Sequence, residues 1–268
     1  MQQQLSASKK IYLKFLLKFF RITGIKKYFP IQAGVLKGIL FNVYADNDIF
    51  YGNYEKDAVQ KIITLAQKNK ESTFVDVGAH YGFYSILFFR INIKNIFAFE
   101  PDASNYRILL KTFELNKLQV HTFNCAVSGD GEYEVAFSKT KMSASNTYIH
   151  SNMLGENIIR EIIPAFSIDE LMRKKKISSP AFIKLDVEGA EYLVLQGALN
   201  TIEKHQPYFL LATHDCHLPG VRDNCVNLLN SLGYHLEALT DVKAFPGLDD
   251  FFCTPPSAVL TQPISNAI

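Results

Sequence analysis

The residues best suited to chemistry lie in an acid-rich run, Ile183-Lys184-Leu185-Asp186-Val187-Glu188-Gly189-Ala190-Glu191, and further on in Thr213-His214-Asp215. Carboxylates and a histidine are the side chains that move protons near neutral pH. Asp186 and Glu188 are two apart, so they do not share a helical face, but both can project from a turn. Upstream, Asp76 stands two residues before Gly78 in the stretch Phe74-Val75-Asp76-Val77-Gly78-Ala79-His80-Tyr81-Gly82-Phe83-Tyr84-Ser85. Glycines at 78 and 82 let backbone approach a ligand before a helix begins. A dinucleotide fingerprint needs glycines at i, i+2 and i+5, and here His80 and Phe83 break it. An acid so placed suits a ligand with an amino group better than a pyrophosphate. Glu100, in Phe99-Glu100-Pro101, can take both hydroxyls of a ribose through its two oxygens. The two acids together point to a nucleoside-containing cofactor without a phosphate chain.

These residues need elements to position them. Apolar runs at 73–77, 96–99, 120–124, 182–185 and 208–212 read as strands. Helical spacing fills 57–69, 81–89, 103–115, 192–205 and 221–232, and Ser167 with Glu170 forms a capping-box spacing that opens a helix over 167–176. Residues 234–239 and 251–254 can pair as terminal strands. The stretch 128–163 alternates at Tyr133, Val135 and Phe137, then turns polar in SASNTYIHSN, suggesting a hairpin, a mobile loop and part of an acceptor pocket over 138–163. Strand–helix alternation with apolar strands predicts an α/β fold whose parallel sheet is covered by helices on both faces. Ligands in such sheets bind at the carboxyl ends of the strands, where Asp76, Glu100, Asp186 and His214 all fall.

The net charge of +2, from 28 bases and 26 acids, hides a split. Residues 1–45 hold eight bases and no acid, which leaves the remainder at −6. Such a body does not suit nucleic acid as a partner. In the basic segment, Lys10, Lys14, Lys18 and Arg21 recur on one helical face, while Ile11, Leu13, Leu16, Leu17 and Phe20 cover much of the rest. This helix, ending near Gly24, is expected either to lie on an anionic membrane surface or partner through residues 9–29, or to pack on the domain with its charges solvated. Its lysines interrupt both a membrane span and a signal-peptide core. Cys125, Cys216, Cys225 and Cys253 form no CxxC pair, and reduced thiols in a cytoplasmic protein, peripheral at a membrane or not, are expected.

DVGAHYGFYS, FEPD, NCAVSGDGEYEVAF, FSIDEL and IKLDVEGAEYLVLQGA, in this order between Tyr54 and Tyr234, resemble the FkbM family of S-adenosylmethionine-dependent methyltransferases. The resemblance implies a seven-stranded Rossmann-like class I methyltransferase sheet with its last strand antiparallel. It divides the chain into an N-terminal helix with lead-in strands (1–50) and a methyltransferase domain (51–268). It implies O-methylation of a hydroxyl or carboxyl on a sugar, glycolipid or polyketide-like acceptor, including a lipid-linked one. Carried onto this sequence, the cofactor would be held by Glu55, Asp76, Gly78, Ala79, His80, Tyr81, Gly82, Ser85, Glu100, Pro101, Asn124 and Ala126. Asp186, His214, Lys184 and Glu188 would form the catalytic group. His214 or Asp186 would be the base, Lys184 would steady the acceptor oxygen or pair with an acid, and Asp186 could instead hold a divalent metal. Where relatives commonly carry an acid two residues before the fifth-strand histidine, this chain has Ala212, a departure that bears on acceptor geometry. A catalytically degenerate cofactor-binding module is the alternative; a nicotinamide-dependent oxidoreductase lacks its glycine pattern.

Overall fold

Strands built from unbroken apolar runs must be covered on both faces, and the architecture follows from that need. The computed structural model describes residues 5–66, 72–131, 133–139, 159–239 and 246–259. The chain opens with α1 (Ala7–Thr23), the short ladder β1 (Tyr28–Pro30) and β2 (Leu40–Asn42), then α2 (Asn47–Tyr51) and α3 (Lys56–Ala66). Next come β3 (Thr73–Val77), α4 (Phe83–Arg90), β4 (Asn95–Phe99), α5 (Ala103–Leu115) and β5 (His121–Phe123). A small sheet follows from β6 (Ala126–Val127), β7 (Glu134–Lys139) and β8 (Ile159–Phe166), then α6 (Ile168–Arg173) and β9 (Pro180–Leu185). The chain closes with α7 (Glu191–Gln196), α8 (Leu199–His205), β10 (Tyr208–His214), α9 (Val221–Ser231), β11 (His235–Ala238), β12 (Leu248–Thr254) and α10 (Pro256–Val259).

The main sheet has seven strands in the order β11-β12-β10-β9-β3-β4-β5, with β12 antiparallel to both its neighbours. The chain builds outward from β3 to β5, then returns to the other side of β3 with β9 and β10. The order therefore reverses between β3 and β9, which opens a crevice at their carboxyl ends. Period-two alternation sends Phe74, Ala98, Phe182, Leu210 and Phe252 to one core and Val75, Val77, Ile183, Leu185, Phe209 and Leu211 to the other. On the first face the two central rows turn polar two residues towards the crevice: Phe74 gives way to Asp76, and Phe182 to Lys184 and then Asp186.

Two elements differ from expectation. The helix expected over 192–205 is broken into α7 and α8 at Gly197, where the Ser128 carbonyl packs so close that a Cβ would lie 2.3 Å from it. Asp169 supplies the missing cap, accepting hydrogen bonds from the backbone N–H groups of Asn200 (2.9 Å) and Thr201 (2.8 Å). At the N-terminus, α1 packs on the domain, with Leu13 and Leu17 joining the first core. Its four aligned bases are not one solvated face. Arg21 turns inward and donates to the carbonyls of Val43 and Ala45, and Lys10 lies over the Tyr51 ring. Ile11, by contrast, is exposed. Among the described residues no helix is long and apolar enough to cross a membrane. The four cysteines are free thiols, and Cys125, Cys225 and Cys253 are buried. The SASNTYIHSN stretch and most of the expected 138–163 pocket segment lie outside the described residues.

Candidate active site

At the crevice lies a cavity of about 540 Å³. Asp76, Gly78, Ala79, His80, Tyr81, Glu100, Pro101 and Ala126 line it on the β3–β4 side. Across from them stand Lys184, Asp186 and Glu188, with Tyr54 and Tyr84.

Backbone geometry sets the first side. Asp76 is wholly buried, and its Oδ2 accepts from the backbone N–H (3.0 Å) and hydroxyl (2.6 Å) of Ser85. Its Oδ1 has no hydrogen-bond partner among the described residues. Burial raises the Asp76 pKa, against the pull of the Lys184 ammonium. Glu100 is pinned from both sides: its Oε2 accepts from His80 N–H (2.7 Å) and its Oε1 from Asp102 N–H (2.9 Å). Burial raises it to about 7 even against those two donors. His80 stacks on Tyr81 at 3.8 Å, its Nε2 has no partner, and burial lowers its pKa to about 4, so it is neutral.

Several expected cofactor contacts play a different part. A Cβ on Gly78 would lie 1.8 Å from the Asp186 carbonyl oxygen, so this glycine makes room for the neighbouring strand end as well as bordering the cavity. Gly82 does not line the cavity; a Cβ there would meet Phe113 at 2.6 Å and Leu109 at 2.7 Å. Ser85 is fully buried and acts through Asp76. Asn124 donates to the carbonyls of Glu100 (2.8 Å) and Pro101 (3.0 Å), holding that strand end in place. Glu55 accepts from the Tyr84 hydroxyl, and it is Tyr54 and Tyr84 that reach the cavity wall.

The second side is a chain of opposite charges. Lys184 Nζ lies 2.7 Å from Asp186 Oδ2 and 5.3 Å from the centre of the Tyr84 ring. Burial alone would raise the Asp186 pKa, yet the Lys184 ammonium, helped by His214, holds it well below the usual carboxylate range. His214 does not line the cavity. It stands behind the two acids, 5% exposed, with Nε2 3.6 Å from Asp186 Oδ1 and 3.5 Å from Glu188 Oε2. Its Nδ1–H donates to Glu191 Oε1 at 2.7 Å. Burial disfavours the charged ring, but the Glu191 hydrogen bond and the charges of Asp186 and Glu188 lift its pKa to about 9. A pKa of about 9 favours the protonated ring at neutral pH, so of the two base candidates His214 is the one already carrying a proton.

Glu191 was not expected. It is fully buried and accepts from Gly189 N–H (3.0 Å), fixing the turn in which Glu188 (φ 56°) and Gly189 (φ 107°) are left-handed. The signal was present in the spacing Glu188-Gly189-Ala190-Glu191, an acid at the first position of a helix behind a glycine turn. Arg21, which also lines the cavity, carried no such signal.

Asp186, Glu188 and His214 each offer a metal-ligating atom, all within 4.8 Å of one another. The place already holds a cation. Lys184 Nζ pairs with Asp186 at 2.7 Å and the His214 ring lies between the acids, so a metal here would have to share Asp186 with the ammonium.

Residues 76–237, well over half of the chain, match the family described as the methyltransferase FkbM domain. Hexuronic acid methyltransferase AglP of Haloferax volcanii is 26% identical over 150 residues, covering 56% of this chain and 58% of that protein. A crystal structure of methyltransferase FkbM from Methylobacillus flagellatus superposes with a TM-score of 0.50 at 16% identity, covering 78% of this chain and 55% of that one. The chain thus spans somewhat more than half the length of each.

Proposed function

The chain belongs to the FkbM family of methyltransferases, and from that premise we propose that it is an S-adenosylmethionine-dependent O-methyltransferase acting on a sugar, a glycolipid or a related small molecule. One observation carries the reading: a pinned ribose-type acid and a buried, half-partnered acid face a lysine-held carboxylate across a single cavity. The cofactor fits this cleft on its own terms. Asp76 Oδ1 is an orphaned acceptor suited to an ammonium, and both Glu100 oxygens keep a lone pair for ribose hydroxyls. When bound, the cofactor supplies an activated methyl group.

The chain's own residues do the rest. Positioning an acceptor oxygen about 3 Å from the carbon it attacks contributes up to roughly 7–11 kcal/mol in ideal cases. Asp186, lining the cavity with 34% of its side chain exposed, accepts the hydrogen bond of an acceptor hydroxyl and, a weak base beside Lys184, takes its proton only as the new O–C bond forms and acidifies it. Lys184 and the His214 imidazolium fix Asp186 in place, and Glu191 fixes His214. His214 is therefore a positioning residue. A carboxylate acceptor is a second reading, favoured by these two cations and by the name of the Haloferax relative. It needs no base, only the ammonium to hold it.

Tritiated methyl transfer into cell extract, split into lipid and aqueous fractions, tests the proposal. Label that survives mild alkali marks an ether and a hydroxyl acceptor, and label released as volatile methanol marks an ester. No transfer to any fraction, with S-adenosylhomocysteine still bound by calorimetry, would leave the degenerate module instead. Binding of NAD in place of S-adenosylhomocysteine would overturn both.

A further inference from the structure

Helix α1 has two apolar faces, and the body covers one. At 100° per residue, Leu13, Leu17 and Phe20 point one way, and there Leu13 and Leu17 are buried while Phe20 packs on Phe29 at 5.6 Å. On the opposite side Ile11, Tyr12, Phe15, Phe19 and Ile22 fall within an arc of about 100°. These five are 51% to 73% exposed, and Ile25, just beyond the Gly24 cap, is 72% exposed. Exposed Lys14 and Lys18 border one edge of the arc and Lys9 the other. Scattered exposed apolar residues are ordinary, but a contiguous stripe with three aromatics and lysine margins is an interaction surface.

We infer that α1 is a docking helix whose exposed stripe lies in the headgroup layer of an anionic bilayer. Charge decides the occupant. Residues 1–45 contain no acid, so phosphate headgroups meet only bases along this segment. A second copy laid stripe to stripe would set Lys14 and Lys18 against their counterparts, with no acid in either segment to pair them. The geometry also links this surface to the cleft. Arg21, in the last turn of α1, lines the cavity together with Tyr44, Ala45, Asp46 and Asn47, and it is tied to Ala45 (2.7 Å) and Asn47 (3.0 Å) by hydrogen bonds. α1 thus carries the open stripe on one side and a cavity-lining residue on the other, so a chain docked through the stripe keeps its cleft beside the bound helix. Resting on the methyl-transfer reading, the acceptor is then a glycan on a lipid carrier, presented at headgroup depth.

The test is flotation of the full chain with vesicles of phosphatidylcholine, with and without phosphatidylglycerol. Deleting residues 1–29 is a poor probe, because it also removes Leu13, Leu17 and Arg21 from the fold. Phe15→Glu/Phe19→Glu touches only exposed positions. The wild-type chain is expected to float with anionic vesicles and not with neutral ones. The double glutamate variant should lose at least tenfold in partitioning, and Lys14→Gln/Lys18→Gln about fivefold per lysine. A wild-type chain that stays at the bottom, or glutamate variants that float equally well, would overturn the proposal. A concentration-dependent dimer without lipid, abolished by the same glutamates, would assign the stripe to a second copy and overturn it too. S-adenosylhomocysteine calorimetry on the same preparations separates the two readings: docking without cofactor binding sinks the methyl-transfer reading and leaves the docking helix standing. Label confined to the aqueous fraction sinks only the lipid-linked acceptor.

Discussion

Raising the pH through 9 should switch the enzyme off. The His214 imidazolium holds Asp186 and Glu188 from behind, and its pKa of about 9 arises from Glu191, Asp186 and Glu188 acting against burial. If the protonated ring organises the site, the contribution of His214 is flat across neutrality, where Glu100 (about 7) titrates, and activity falls above it as His214 loses its proton. With a pKa of about 9 the imidazolium fraction is near 99% at pH 7 and about a tenth at pH 10, a tenfold loss. A bound sulfonium cation works against the imidazolium, so the midpoint lies at or below 9 with cofactor saturating. Stability moves in the same direction. The folded pKa lies above the unfolded value of 6.5, so the contribution is complete below pH 6.5 and lost as pH rises through about 9. At about 1.4 kcal/mol per unit it amounts to about 3 kcal/mol.

The assay is kcat/KM for the acceptor from pH 6 to 10, with thermal unfolding recorded over the same range. Glu191→Gln keeps the shape of the side chain and removes one buried charge. It should bring the alkaline limb down by roughly 1–3 pH units. A rate that instead climbs tenfold per unit between pH 7 and 9 would show the neutral ring acting as base, and the positioning role would be wrong. A limb that Glu191→Gln leaves in place would assign it to another group.

Gly78→Ala forces a Cβ to 1.8 Å from the Asp186 carbonyl at a φ of +79°, where the backbone conformation alone costs about 1–3 kcal/mol. Both melting temperature and S-adenosylhomocysteine binding should drop, and an unchanged protein would refute the close strand packing. Asp76→Asn removes the charge whose Oδ1 is free for an ammonium and should weaken S-adenosylhomocysteine binding about tenfold to a hundredfold by calorimetry. A chelator should leave methyl transfer unchanged, because the Lys184 ammonium already pairs with Asp186 where a metal would sit. Loss of activity restored by a divalent ion would reverse that assignment.

The fold was legible because period-two and period-3.6 patterns are local. The 103–115 helix and the 73–77 strand stand where the spacing put them, since neither depends on distant residues to set its ends. The broken 192–205 helix was hidden for the opposite reason. It is interrupted at Gly197, where the Ser128 backbone, far away in the chain, packs too close for any side chain. Within the site, Asp76, Glu100, Asp186 and Lys184 could be placed because each ends a strand at the crevice. The protonation of His214 could not, because it needs the three carboxylates of the 186–191 turn brought against the end of β10. The dual character of α1 was half visible. Apolar residues surround the helix in sequence, but only the packed structure separates the covered stripe from the open one.

The same long-range logic bears on Ala212, the position where relatives commonly carry an acid. In the β10–β12 ladder Ala212 pairs directly with Asp250, so the two side chains share a face. That face is the one that carries Lys184 and Asp186 on β9. Asp250 feels the site: burial first, then the Glu55 and Asp186 carboxylates, raise its pKa to about 6. Asp250 thus puts a carboxylate one strand outward from Ala212. An aspartate at 212 beside an intact Asp250 and Asp186 would line up three carboxylates across neighbouring strands, where like charges repel. Asp250→Ala should therefore lose at least tenfold in kcat while still binding S-adenosylhomocysteine. Ala212→Asp alone should also lose activity, through crowding of charge. The double variant Ala212→Asp/Asp250→Ala should recover much of what either single change removes. Full turnover in Asp250→Ala, or a double variant as poor as the worse single one, would show that Asp250 does not stand in for the acid that relatives place at this position.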